Sequence, residues 1–90
     1  MQFNPLGAHN DGLAISTAQT LTPTAGATML LIQAIGQNVR LTLDGTTPTA
    51  SKGFQVVAGD PAIIVPIGAN TVIKVIQEAA TADLQYQFGH

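Results

Sequence analysis

Apolar and polar residues alternate along most of this chain in runs too short to be helices. Val39, Leu41 and Leu43 alternate with Arg40 and Thr42, the period of a strand with one buried face. Asp44-Gly45 then breaks the strand, because Gly accepts positive φ and Asp can bond the backbone that follows. Pro48 removes a backbone donor, so residues 44–49 cannot continue as a central strand. Leu84, Tyr86 and Phe88 alternate with Asp83, Gln85 and Gln87, a half-buried strand by the same rule. Residues 28–35 form the most continuous apolar run. Its length, bounded by glycines, favours a strand covered on both faces over a helix. The Gly36-Gln37-Asn38 link to residues 39–43 predicts a hairpin between these two strands.

Further strand-like runs fall at 13–16, 20–22, 54–57, 62–67 and 71–77, separated by Gly, Pro, Asn and Asp. Pro66 marks its run as an edge or a strand terminus. Only residues 78–81 suit a helical turn. About eight short strands at regular spacing predict an all-β fold, a small antiparallel β-sandwich or jelly roll. Residues 1–11 have no period: Phe3 and Leu6 sit among Asn4-Pro5, Gly7 and Asn10-Asp11, which is turn chemistry. They predict an N-terminal arm, tucked on its own domain or laid on a neighbour, ahead of a single domain over residues 12–90.

Composition changes this picture in one respect. Only 9% of the 90 residues are charged and 46% are hydrophobic, where soluble domains carry roughly 25% charge. Interface cores are depleted of Lys, Glu and Asp, so a charge-poor surface fits a chain packed against neighbours; the alternative is a neutral, Thr/Gln-rich domain that is simply soluble. A chain this short buries only about 60–65% of its unfolded surface. With no cysteine there is no disulfide to compensate, which points to oligomerisation or docking on a larger body. Arg40, Lys52 and Lys74 are scattered and the net charge is −2, so nucleic acid is not an expected partner. No apolar run approaches a membrane span. Residues 1–5 lack the basic start and apolar core of a signal peptide, so synthesis and assembly in a cytoplasm are expected.

The residues that could carry chemistry do not cluster. His9 and His90 stand alone, against the grouped ligands of a metal site. Asp11, Asp44 and Asp60 lie in turns, where Asp side chains serve the local backbone. A single carboxylate at 44 is too little charge for a tight calcium site. Ser16 and Ser51 are not in a Gly-x-Ser-x-Gly elbow, and five scattered acids offer no glycosidase pair. Tyr86 alternates with Leu84 and Phe88, which makes it a core tyrosine rather than a sugar platform. The expectation is a protein that is not an enzyme and needs no metal or cofactor.

Five stretches carry a resemblance. They are the strand and turn at 39–49, Ala50-Ser51-Lys52-Gly53-Phe54, Ala58-Gly59-Asp60-Pro61, Ile73-Lys74-Val75-Ile76, and Leu84-x-Tyr86. In these, and across most of its length, the chain resembles the small virion proteins of tailed bacteriophages. The resemblance implies a capsid cement or decoration protein, a compact β-domain that docks on the major capsid protein, on copies of itself, or both. Residues 41–49 are also similar to the Tyr-Thr-Leu-Asp-Gly-Thr-x-Pro turn of bacterial sandwich modules appended to sugar-processing enzymes, with Leu41 at the aromatic position. Residues 70–76 resemble that module's later strand, so that the match spans about half the chain, and it implies a carbohydrate- or surface-binding module; a tail or neck component of the virion is a third reading. For docking, Phe3 and Leu6 of the arm are the first candidates. Asp44, Thr46, Thr47 and Thr49 are the second, their polar side chains available to a partner's backbone.

Overall fold

The computed structural model describes residues 2–90; Met1, the first residue of the expected arm, lies outside them. Seven strands form, β1 (Gln19–Leu21), β2 (Met29–Ile35), β3 (Val39–Thr42), β4 (Phe54–Val56), β5 (Ile63–Pro66), β6 (Ile73–Gln77) and β7 (Asp83–Gly89), and no helix appears among the described residues. One sheet has four strands in the order β1-β6-β3-β4 and the other three in the order β5-β2-β7. Every neighbouring pair is antiparallel. Three of the pairings are nested: β1 with β6, β2 with β5, and β3 with β4. Residues 19–77 therefore behave as one long hairpin folded across both sheets. The β3–β6 pairing stitches that hairpin to itself, and β7 extends the smaller sheet on the other side of β2.

The alternation in sequence sets which face is buried. Leu30, Ile32 and Ala34 of β2, Val39 of β3, Ile73 and Val75 of β6 and Leu84 of β7 are wholly inaccessible. With Leu41, Phe88, Leu21 and Ile15 they form one cluster drawn from both sheets. The opposite face of β2 is only half covered. Leu31 stands there between Ile64 and Gln87 on the adjoining strands. The continuous apolar run thus has one core face, not the two that its composition suggested.

The expected hairpin between residues 28–35 and 39–43 does not form, since β2 and β3 belong to different sheets. Each has a fully buried face, and the two are best covered across the core from one another rather than side by side. The linking residues bond elsewhere: the Ala58 amide donates to Asn38 Oδ1 (2.8 Å) and the Glu78 amide to the Asn38 carbonyl (2.9 Å). Gly36, at φ +85°, supplies the left-handed turn that redirects the chain between sheets. Residues 13–16 also form no strand, leaving seven rather than about eight. Ile15 nevertheless sits in the core, and its carbonyl accepts from the Gln77 amide (3.0 Å). Residues 78–80 bend the chain, and no helical turn forms over 78–81. There Glu78 bonds Asn38, and the Ala82 amide donates to the Gln77 side chain (3.2 Å). Pro66 ends β5, which is an edge strand as the proline suggested.

The outer edge of β7 is covered by residues 4–10. Asn4 and His90 exchange two backbone bonds of 3.0 Å, the Leu6 amide donates to the Phe88 carbonyl (2.9 Å), and Asn10 and Tyr86 exchange two more (2.9 and 3.0 Å). Gly89 is required where this segment begins. A Cβ there would lie 2.6 Å from the Asn4 carbonyl oxygen and run into the Phe3 ring.

The two faces of β2 make the first prediction. Ile32→Ala, at a site with no exposure, should cost about 2–5 kcal/mol of stability. Leu31→Ala on the outer face should cost clearly less, as read from urea unfolding midpoints. Equal losses would contradict the facing assigned to β2.

Candidate docking surface

β4 and β5 are the outermost strands of their sheets, and together they line one side of the molecule. Val56 and Phe54 pair directly with Val39 and Leu41, so both point to the inner side of the four-stranded sheet. Val56 is buried, yet Phe54 is 69% exposed. Ile63 and Val65 pair with Ile32 and Leu30 and likewise share the inner side of the smaller sheet. Ile63 is 45% exposed and Val65 only half-buried. Positions that alternation assigns to the core are thus left uncovered where the two sheets part.

The seam between these strands is an apolar groove of about 270 Å³ between Leu41, Leu43, Phe54 and Val56 on one side and Ile63 and Val65 on the other. Phe54 divides it from a second, larger groove of about 480 Å³. That one runs from Leu41 and Leu43 to Asp44, Thr46 and Lys52, so it combines an exposed aromatic ring with a carboxylate, a hydroxyl and an ammonium group.

The polar residues beside the larger groove are mostly engaged with their own loop. Asp44 Oδ1 accepts from the Thr46 amide (3.0 Å), the local turn use expected of it. Bonds from the Thr46 hydroxyl and amide hold the Asp44 carboxyl below its ordinary value, with a smaller contribution from Lys52. The buried Thr42 hydroxyl donates to the Thr46 carbonyl, and the Gly45 amide to the Val72 carbonyl (3.1 Å). Thr49 and Lys52 exchange backbone bonds (3.1 and 3.2 Å) around a tight turn. Thr47 and Thr49 are exposed while Pro48 between them is buried.

Of the residues singled out from sequence, Asp44 and Thr46 therefore reach the groove, and Thr47 and Thr49 stand on the loop beyond them. Phe3 and Leu6 do not join them. They lie half-buried in the segment along β7, at the opposite edge of the smaller sheet. Phe54, Ile63 and Val65 were not singled out. Their spacing matches that of core residues, and nothing local marks them as uncovered.

Other polar groups serve the structure. Arg40 Nε donates to Glu78 Oε2 (2.7 Å), the one ion pair among the described residues. Arg40 Nη1 also reaches the Gly53 carbonyl (3.0 Å), and Gln55 Nε2 reaches the same carboxylate oxygen (2.8 Å). This network ties β3, β4 and the turn after β6. The Gln55 amide first, and then Arg40, hold the Glu78 carboxyl below its ordinary value, against the opposing effect of desolvation. Tyr86 packs edge-on to Phe88, with ring centroids 6.0 Å apart and planes at 81°, and burial raises its hydroxyl pKa. No group of three His, Cys, Asp or Glu side chains suited to a metal occurs among the described residues.

A lowered folded pKa means that the ionised form of Glu78 favours the folded state. Its contribution is complete above the ordinary value of 4.5 and is lost as pH falls through the folded value. Glu78→Gln should therefore be less stable than the wild type at pH 7, and the gap should narrow as pH drops below 4.5. Urea midpoints of the two proteins at pH 7 and pH 3 test this, and a gap that widens in acid would contradict it.

Compared with family models, with curated proteins and with solved structures, the chain gives no match.

Proposed function

We propose that this chain is a non-enzymatic docking domain, a jelly-roll sandwich that works as a cement or decoration protein on the head of a tailed bacteriophage. The nested pairing of β1·β6, β2·β5 and β3·β4 supports the jelly-roll reading, since a jelly roll is a long hairpin rolled across two sheets. The observation that carries docking is the open seam. Phe54, Ile63 and Val65 face inward but lack cover, so a partner that inserts apolar side chains between β4 and β5 completes the core. Each Å² of apolar surface removed from water there contributes about 25 cal/mol. Contacts to two shell subunits at once would add avidity, because a copy held by one subunit meets the next at high effective concentration. The assignment to a virion rests on the resemblance of residues 39–54, 58–61, 73–76 and 84–86 to small phage virion proteins. On that reading the partner is the major capsid protein, and the site is the shell assembled in the host cytoplasm.

One observation favours a second reading. The larger groove sets the exposed Phe54 ring beside Asp44, Thr46 and Lys52, and its volume falls within the roughly 300–1,000 Å³ of small-molecule sites. An aromatic face flanked by hydrogen-bonding groups suits a carbohydrate.

The readings separate in one experiment. Purified protein mixed with phage heads and sedimented should co-pellet stoichiometrically, and Phe54→Ser should abolish capture. Because Phe54 is exposed, that change should move stability by only about 0.5 kcal/mol. Failure to co-pellet, with saturable binding of the monomer to a polysaccharide, would replace the first reading with the second. Capture that survives Phe54→Ser would remove the seam from the interface.

A further inference from the structure

We propose that the outer edge of β7 is a strand-acceptor site, and that its second occupant is the same segment, residues 4–10, of another copy of this chain. This goes beyond docking at the β4/β5 seam and does not depend on it.

The way residues 4–10 are held carries the argument. Five backbone hydrogen bonds join Asn4, Leu6 and Asn10 to Tyr86, Phe88 and His90. Such a ladder can be made equally well by a strand arriving from another molecule. The segment contributes nothing to the buried core, whose first member along the chain is Ile15. Phe3, Leu6 and Asn10 are half-buried, while Asn4, Pro5, Gly7, Ala8 and His9 are exposed. Its departure would therefore leave both sheets and their shared core in place.

The connection to the body is held by one apolar side chain, Leu13, packed against the core. Residues 11–14 make no backbone–backbone hydrogen bond. Asp11 and Gly12 are exposed, and a Cβ on Gly12 would meet nothing within 4 Å. The segment is thus a strand on a short exposed link at Asp11-Gly12, anchored beyond it by Leu13 on the core, an arrangement from which identical chains exchange elements.

What limits the occupant to a second copy is the fit of its side chains. Phe3 and Asn4 take the space that Gly89 leaves by having no side chain. The Asn4 side chain donates to the His90 carbonyl (2.9 Å), Gln87 Nε2 to the Gly7 carbonyl (3.1 Å), and His9 Nε2 lies 2.5 Å from Gln85 Oε1. A strand of unrelated sequence would keep the ladder but lose these contacts. The chain's own segment has the advantage of a tether, so exchange is expected to emerge at high local concentration, as in an assembly. Reciprocal exchange gives a closed dimer and one-way exchange an open chain of molecules.

The test uses the full chain and a fluorescent peptide with the sequence of residues 2–12, followed by anisotropy. Leu6→Pro in the protein deletes the amide that bonds the Phe88 carbonyl, which loosens the resident segment. Peptide affinity should then rise by about tenfold over the wild type, the scale of one lost hydrogen bond. Leu6→Pro in the peptide should abolish binding. Binding of the peptide to neither protein, or to both with equal affinity, would overturn the proposal. So would unfolding of the Leu6→Pro protein by circular dichroism, since it would make the segment part of the core fold. No shell or polysaccharide enters the assay, so its outcome is separate from that of the docking reading.

Discussion

Two sheets that share a core must cover one another's inner faces, and here a sheet of four strands lies over a sheet of three. Where strands of both sheets overlap, the inner positions have no exposure, as at Ile32, Val39, Ile73 and Leu84. Where the overlap runs out, at β4 and β5, residues of the same parity meet solvent. Phe54 is exposed for the same reason that Val56, two residues on, is buried: alternation sends both inward, and only one finds an opposing strand. The grooves beside Phe54 follow from this unequal cover rather than from any special loop.

The opposite margin of the smaller sheet is handled differently. β7 would be an open edge, with unpaired backbone groups ready to template another chain, but residues 4–10 lie along it. The cover is made of hydrogen bonds more than of buried side chains, which allows it to hold without being part of the core. The chain's accessible surface of 4838 Å² is close to the ~5,000 Å² expected of a free 9.3 kDa protein. The single chain thus buries about as much surface as a free protein of its size, and the β4/β5 seam is a local gap in that cover.

How far this could be read from the sequence depends on how local each feature is. The strands at 39–43 and 83–88, the Asp44 turn and the edge character of the strand ending at Pro66 each follow from a few adjacent residues; the strands form as Val39–Thr42 and Asp83–Gly89, and the turn and the edge strand stand as well. The sequence predicts a pairing of β2 with β3 that the structure does not contain. A three-residue Gly/Asn link looks the same whether the chain turns back within a sheet or crosses to the facing one. What decides is where the buried faces of β2, β5 and β7 find partners, up to about 60 residues away in sequence. Ile15 reaches the core without a strand because one bond to Gln77 suffices to place it. The site was half legible. Asp44 and Thr46 were marked by their turn, but the exposure of Phe54 and Ile63 depends on how many strands lie opposite, which no local pattern records.

The scarcity of charge then limits how such a molecule can recognise anything. Of its three cations, Arg40 is committed to Glu78 and Gly53, and Lys52 stands beside Asp44 at the larger groove. Little field is left to steer a partner from a distance. Recognition must come from short-range features, and the two margins of the molecule offer complementary kinds. The β4/β5 side presents apolar side chains without cover, which reward a partner of matching shape. The β7 side carries a backbone ladder filled by residues 4–10, which on the proposed exchange would reward a partner of matching register. Contacts of both kinds form only after encounter, so their strength lies in slow release rather than fast capture. On the docking reading proposed above, slow release would suit a component held in place by several neighbours at once.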